Sequence, residues 1–262
     1  MSSEQRFEFT KENLDLYLRE LAREYRKQVG KSMPAELILI GGASVLLNYG
    51  FRNMTTDVDA LIRGSSAMKD AVNRVGDRYR LPNGWLNADF MRTESYTPRL
   101  AEHAVFYRTF SNVLNVYTVS AEYLIAMKLR AGRQYKSDLS DVLGILAEHE
   151  KRGTPIRMAQ LKAAVADLYG DWNVLPAASQ RFIDGIMENG RFSELFEQIR
   201  HGEQETKALL TAFEQAYPGV IRQSNVDAIA ESLQEKADRA AVLRQLRSMR
   251  DAASDPTPQN DE

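Results

Sequence analysis

ELILIGGASVLLNYGFRNMTTDVDALI, residues 36–62, is the stretch whose reading decides the fold. Glu36 to Ile40 is a short apolar run and reads as a strand. Gly41-Gly42 breaks it, and Ala43 to Asn48 reads as a short helix that buries Val45, Leu46 and Leu47. Gly50 stops that helix, Phe51 to Thr56 is a polar link, and Asp57 to Ile62 is a second strand. On a strand, residues two apart point to the same side, so Asp57 and Asp59 emerge together while Val58 and Ala60 face the other way. Two like charges side by side are costly to bury unless a cation neutralises them. Carboxylate oxygens suit Mg²⁺, which bridges protein carboxylates and substrate phosphates. Glycine after a strand lets backbone approach a ligand closely. The helix N-terminus that follows offers N–H groups to phosphate, and Ser44 adds a hydroxyl.

Upstream, Thr10 is placed to N-cap a helix over 9–28, with Leu14, Leu18, Leu21 and Tyr25 at helical spacing and Gly30 and Pro34 at its end. Downstream, Gly64-Ser65-Ser66 opens a helix from Ala67 to about Val75. Pro82-Asn83-Gly84 is a turn, and Trp85 to Met91 reads as a strand or an irregular connection. Val105–Phe110 and Val113–Val119 form a hairpin about Ser111-Asn112. Ser120 opens a helix to about Ala131 that Gly132 ends, and Ser137 opens another that closes at Lys151-Arg152-Gly153. From Pro155 to residue 250 helices alternate with breaks at Gly170, Pro176, Gly190, Gly202 and Pro218-Gly219. The last, about 225–250, lines Val226, Ile229, Leu233, Ala237, Ala240 and Leu243 on one face. Its cations Lys236, Arg239, Arg244, Arg247 and Arg250 alternate with Glu231, Glu235, Asp238 and Asp251, which reads as a solvated face.

The 262 residues carry a net charge of −2, with 44% hydrophobic and 27% charged residues, so no global charge draws the chain to nucleic acid or membrane. The sequence has no cysteine, which excludes disulfides and thiolate metal sites. It has no signal-like start and no run near the roughly 18 apolar residues of a membrane span, so a cytoplasmic protein is expected. His103, His149 and His201 lack metal-ligand spacing and read as surface residues.

The order apolar strand, Gly-Gly, short helix, Asp-x-Asp resembles the nucleotidyltransferase superfamily of the polymerase-beta type. Arg52, Thr55 or Thr56, and Asp57 echo the R-x-x-T-x-D-x-D pattern of its toxin-like branch. A second block, SAEYLIAMKLRAGRQYKSDLSDVLGIL from Ser120 to Leu146, resembles the K-L-x-A-x-x-x-R-x-x-x-x-D-x-x-D-x-x-x-L block of AbiEii-type abortive-infection toxins and related bacterial nucleotidyltransferases. Lys128, Arg133, Asp138 and Asp141 occupy its polar positions. Physically, Lys128 can pair with triphosphate oxygens and Arg133 can bind a phosphate or carboxylate bidentately. Asp138 and Asp141 share a face at a helix start, where they orient the cations or touch the nucleotide. A salt-bridged helix pair is the competing reading.

The resemblance implies an α+β fold: a small mixed β-sheet core flanked by helices, then an all-helical C-terminal region. The domains expected are an N-terminal helix packed on the core (1–35), a nucleotidyltransferase domain (36–153), a helical domain (154–250) and a disordered tail (251–262). The implied enzyme binds Mg²⁺ (or Mn²⁺) on Asp57 and Asp59 and an NTP, ATP or GTP, with Gly41, Gly42, Ser44, Arg52, Thr55, Arg133 and Asp141 as nucleotide-binding residues. Lys128 and Asp138 join the aspartates as catalytic residues. NMP passes to a hydroxyl on RNA, such as tRNA, or on protein. The branch implies the toxin of a toxin–antitoxin or phage-defence pair, with a cognate antitoxin as partner and no membrane. Two alternatives stand beside it: an antitoxin-like enzyme that AMPylates a partner toxin, and a catalytically impaired nucleotide-binding protein. The last is motivated by a departure. Many superfamily members use a third carboxylate on a later strand, where Val113–Val119 offers only Asn115; Asp89 is the candidate instead, ahead of Glu94 and Glu102. The oligomeric state stays open.

Overall fold

The computed structural model describes residues 7–133, 135–222 and 224–253. The chain forms two compact units: residues 1–132 with 137–198, and residues 133–136 with 199–262.

In the first unit, α1 (Lys11–Val29) begins at Thr10, whose hydroxyl accepts from the Asn13 N–H while the Asn13 side chain accepts from the Thr10 N–H. This reciprocal cap satisfies two orphan donors of the first turn. Then come β1 (Ala35–Leu39), α2 (Gly41–Asn48), β2 (Val58–Arg63), α3 (Ala67–Tyr79), β3 (Leu86–Asn87), and 3₁₀ turns at Asp89–Arg92 and Pro98–His103. The hairpin strands β4 (Ala104–Phe110) and β5 (Leu114–Val119) lead into α4 (Ala121–Ala131) and α5 (Asp138–Lys151). Helices α6 (Met158–Tyr169) and α7 (Ala177–Asn189) follow, and α8 (Phe192–Ala216) passes the unit boundary. The second unit continues to α9 (Val226–Ala253).

The five strands form one mixed sheet in the order β3-β2-β1-β5-β4. β1 is antiparallel to β2 and parallel to β5, β2 is parallel to β3, and β4 and β5 form the antiparallel hairpin. Ser111 and Asn112 both have positive φ, 51° and 53°, the conformation of a two-residue turn that matches strand twist. One sheet face carries Leu37, Leu39, Val58, Ala60, Leu114 and Val116 into the core cluster with α1 and α3, packed by Leu14, Leu18, Leu21, Ala71 and Val75. Asp59, Ile38 and Tyr117 alternate with these residues and so stand on the opposite face. On the helical side, α4 packs against α5, α6 and α7.

The α+β architecture with a helical C-terminal region is as the sequence implies. Local readings differ in three places. Asp57, expected to open the second strand, lies just before β2, while Trp85–Met91, read as a strand or an irregular connection, is the two-residue β3 and then a 3₁₀ turn. Gly202 ends no helix, because α8 runs through it; glycine in a helix interior costs only about 0.5–1 kcal/mol relative to alanine and is no stop by itself. His201 is exposed, but the other two histidines are half-buried and bonded: His103 stacks on Tyr123 and meets Asp167 at 2.7 Å, and His149 meets the Tyr49 hydroxyl at 3.2 Å.

In the second unit, Leu210, Val226 and Ala230 form a small core with Tyr135, Ile221, Ile229 and Leu233 against it. The stripe expected on the last helix is thus seen at Val226, Ile229 and Leu233. Its continuation at Ala240 and Leu243, and the cations Arg247 and Arg250, lie outside the described side chains, as residues 254–262 of the expected tail lie outside the described residues. No helix among the described residues is long and apolar enough to cross a membrane.

Candidate active site

The turn between β1 and α2 sits beside the start of β2, because antiparallel pairing sets Leu39 opposite Ala60 and the Ile40 N–H donates to the Asp59 carbonyl at 2.9 Å. Gly41 has φ +56°, a conformation that suits glycine. Gly42 is required by space: a Cβ there would lie 2.5 Å from the Thr55 hydroxyl and 2.9 Å from an Arg52 guanidinium nitrogen. The turn is therefore packed directly against the loop that carries the first aspartate.

That loop is pinned at Thr55. Thr55 is buried, and its N–H and carbonyl exchange hydrogen bonds of 2.9 and 2.8 Å with Phe9, ahead of α1. Its hydroxyl lies 3.2 Å from both the Asp57 carbonyl and Oδ1, and donates there. Asp57 is exposed just before β2 and Asp59 is half-buried within it, while Val58 and Ala60 between and beyond them are fully buried. Exposure thus alternates along this stretch, though only Asp59 of the two aspartates lies within β2.

The second sequence block meets this loop through ion pairs. Lys128 on α4 is buried, with Nζ 2.9 Å from Asp138 Oδ1 and 2.7 Å from Asp141 Oδ2. Asp141 Oδ2 also receives Arg52 Nη1. Arg52 Nε donates to the Met54 carbonyl at 3.1 Å. Burial pushes the Lys128 pKa down more than any other single influence. Asp138 and then Asp141 together outweigh burial and the repulsion of Arg52, so the ammonium is held above its usual value. Behind this network, Phe51 packs on α5 where Gly144 leaves room, a Cβ there falling 2.5–2.7 Å from the ring. Phe51 also contacts the Tyr49 and Phe196 rings at 5.6 and 5.4 Å.

Other candidates lie elsewhere. Ser44 is fully buried, and its hydroxyl accepts from the Val119 N–H at 3.2 Å, which ties α2 to the end of β5. Arg133 lies in the α4–α5 connection and belongs to the second unit. Asp89 is exposed at the start of the 3₁₀ turn after β3, its N–H bonded to Asn87 Oδ1 at 2.8 Å. Glu94 pairs with Arg130 at 3.0 Å. Asn115 accepts from the Thr109 hydroxyl at 2.7 Å toward the hairpin turn, at the other end of β5 from Ser44's bond.

Sequence reasoning passed over two residues. Asn87 is the register partner of Asp59 in the β2–β3 pair; its spacing of two from Asp89 was the available signal. Phe9, whose backbone clamps Thr55, left no signal.

For a divalent cation, the donor set is oxygen only: two carboxylates one residue apart, one exposed and one half-buried. That chemistry fits Mg²⁺, which is commonly held by one or two carboxylates together with substrate phosphates and water. Among the described residues no group of three or more His, Cys, Asp or Glu is placed to hold a metal ion.

A family model described as a nucleotidyltransferase of unknown function (DUF6036) matches residues 17–148, from within α1 to near the end of α5 and just over half of the chain. No curated protein and no solved structure matches the chain.

Proposed function

The chain belongs to this nucleotidyltransferase family, and we propose on that premise that it transfers NMP from an NTP to a hydroxyl on RNA or protein with Mg²⁺ as cofactor. The single observation that carries the reading is the Gly41-Gly42 turn packed beside the Asp57–Asp59 pair. Asp57 and Asp59 would hold the cation, with Mn²⁺ as a substitute. The metal would supply neutralisation of phosphate charge during an in-line displacement. The backbone of the glycine turn, at the N-terminal end of α2, would hold the phosphates. The acceptor hydroxyl forms a bond to the α-phosphorus and gives up its proton, the α–β bridging P–O bond breaks, and pyrophosphate leaves. Positioning and charge neutralisation supply most of such a rate enhancement. Asp89 is the proposed proton acceptor, two residues beyond the strand partner of Asp59.

The proposal extends to the toxin role in a two-gene bacterial defence or toxin–antitoxin pair, with a cognate antitoxin as partner. Its support is the pairing of the two toxin-like blocks through Arg52 and Asp141. A second reading, a catalytically impaired nucleotide-binding protein, has one observation in its favour: the strand partner of Asp59 is an amide, Asn87, rather than a carboxylate.

The test is to incubate the full chain with each α-labelled NTP, Mg²⁺ and total RNA or cell lysate. Label entering RNA or protein supports the enzyme. Binding of NTP by calorimetry with no transfer from any of the four supports the impaired reading instead.

A further inference from the structure

Lys128 and Arg52 are two of the three cations, with Arg133, that a triphosphate site would be expected to use, yet both face carboxylates of the protein itself. Lys128 Nζ lies within 2.9 Å of Asp138 and 2.7 Å of Asp141, with its side chain 6% exposed. Arg52 divides its donors between Asp141 and the Met54 carbonyl. Lys128 and Arg52 are thus each engaged by buried carboxylates rather than left open toward a phosphate. Opening this network for a ligand would strand buried carboxylates, which costs several kcal/mol per unpaired ion.

The network points toward the metal site by another route. Arg52 is fixed to α5 at one end and to its own loop at the other. Gly42 leaves the space that the Arg52 guanidinium and the Thr55 hydroxyl fill side by side. Thr55 cannot retreat, because Phe9 holds both its backbone groups, and its hydroxyl donates to Asp57. A hydrogen bond to one oxygen of a metal-binding carboxylate fixes which oxygen faces the ion, and losing such an orienting partner costs about 10- to 100-fold in metal affinity.

We propose that Thr55 and Arg52 are positioning residues for the Asp57 carboxylate, and that Lys128, Asp138 and Asp141 form the buried anchor that holds Arg52, not a phosphate-binding group. Resting on the reading of Asp57 and Asp59 as the metal pair, the inference separates from that reading by experiment. The probe is Mn²⁺ alone, titrated into the full-length chain and followed by the EPR signal of the free ion. Thr55→Val is nearly isosteric and removes only the donor; Thr55→Ser restores it.

The expected result is binding about 10-fold weaker in Thr55→Val, near wild type in Thr55→Ser, and lost in Asp57→Asn. Arg52→Lys, which keeps the charge but not the fork, also weakens Mn²⁺ binding and leaves the affinity for metal-free ATP unchanged. Wild-type Mn²⁺ affinity in Thr55→Val, alongside loss in Asp57→Asn, overturns the positioning role and leaves the metal pair standing. Unchanged binding in Asp57→Asn overturns both. Weaker ATP binding in Arg52→Lys with unaltered Mn²⁺ affinity makes Arg52 a phosphate ligand and overturns the inference.

Discussion

Arg52 and Asp141, 89 residues apart in the chain, form an ion pair that joins the loop entering β2 to the first turn of α5. Asp141 is also bound to Lys128, so one carboxylate closes contacts from three segments. Removing one partner of a buried pair leaves an uncompensated charge and typically costs about 3–5 kcal/mol. Lys128→Met is therefore expected to lower the unfolding free energy of the unit by about that amount in urea titration. A loss under about 1 kcal/mol would mean that the carboxylates find other partners or take up protons.

Gly42→Ala addresses the packing between turn and loop. The new Cβ would meet the Thr55 hydroxyl at 2.5 Å, and Thr55 is clamped by Phe9. Overpacking of this kind costs about 1–3 kcal/mol. The displaced loop also carries Asp57, so the rate of label transfer is expected to fall more than about 10-fold at a temperature where the variant stays folded, since small misplacements at a reacting centre are costly.

Gly144→Ala is expected to destabilise through Phe51, whose ring edge lies 2.5–2.7 Å from the added Cβ. The cost should be about 1–3 kcal/mol. Combining it with Phe51→Leu should recover part of that loss, and the non-additivity in a double-mutant cycle by urea unfolding checks the contact.

Glu24 governs part of the acid response. Its carboxyl is held below its usual pKa by hydrogen bonds from Lys27 and then Arg78, at 2.8 and 2.5 Å. A depressed native pKa means the stabilisation is present above the unfolded value near 4.5 and is lost as pH falls through the lower native value. Wild type should therefore lose more stability than Glu24→Gln on going from pH 6 to about pH 3, in thermal melts followed by circular dichroism. Parallel loss in both proteins would contradict this.

Much of the core was legible because its signals are local. Apolar Glu36–Ile40, the Gly-Gly break and the alternation around Asp57 and Asp59 report strand and turn directly, and Ser111-Asn112 marks the hairpin. The rest depends on contacts distant in sequence. The partner of Lys128 within α5 could be guessed from charge spacing, but its link to Arg52 could not, and the room that Gly144 leaves for Phe51 has no periodicity. β3 is two residues long and held by its pairing with β2, too short for any alternation to show. Gly202 misled because glycine is a weak helix breaker unless a positive φ or a close approach demands it.

The most direct measurement of the central claim follows where each phosphate goes. Full-length chain with Mg²⁺, acceptor lysate and NTP labelled at the α- or the γ-phosphate should send α label into acid-insoluble RNA or protein and γ label into pyrophosphate. Asp57→Asn and Asp59→Asn should abolish both signals. Release of the γ label as orthophosphate, with no α label transferred and no effect of either substitution, would contradict nucleotidyl transfer at this site.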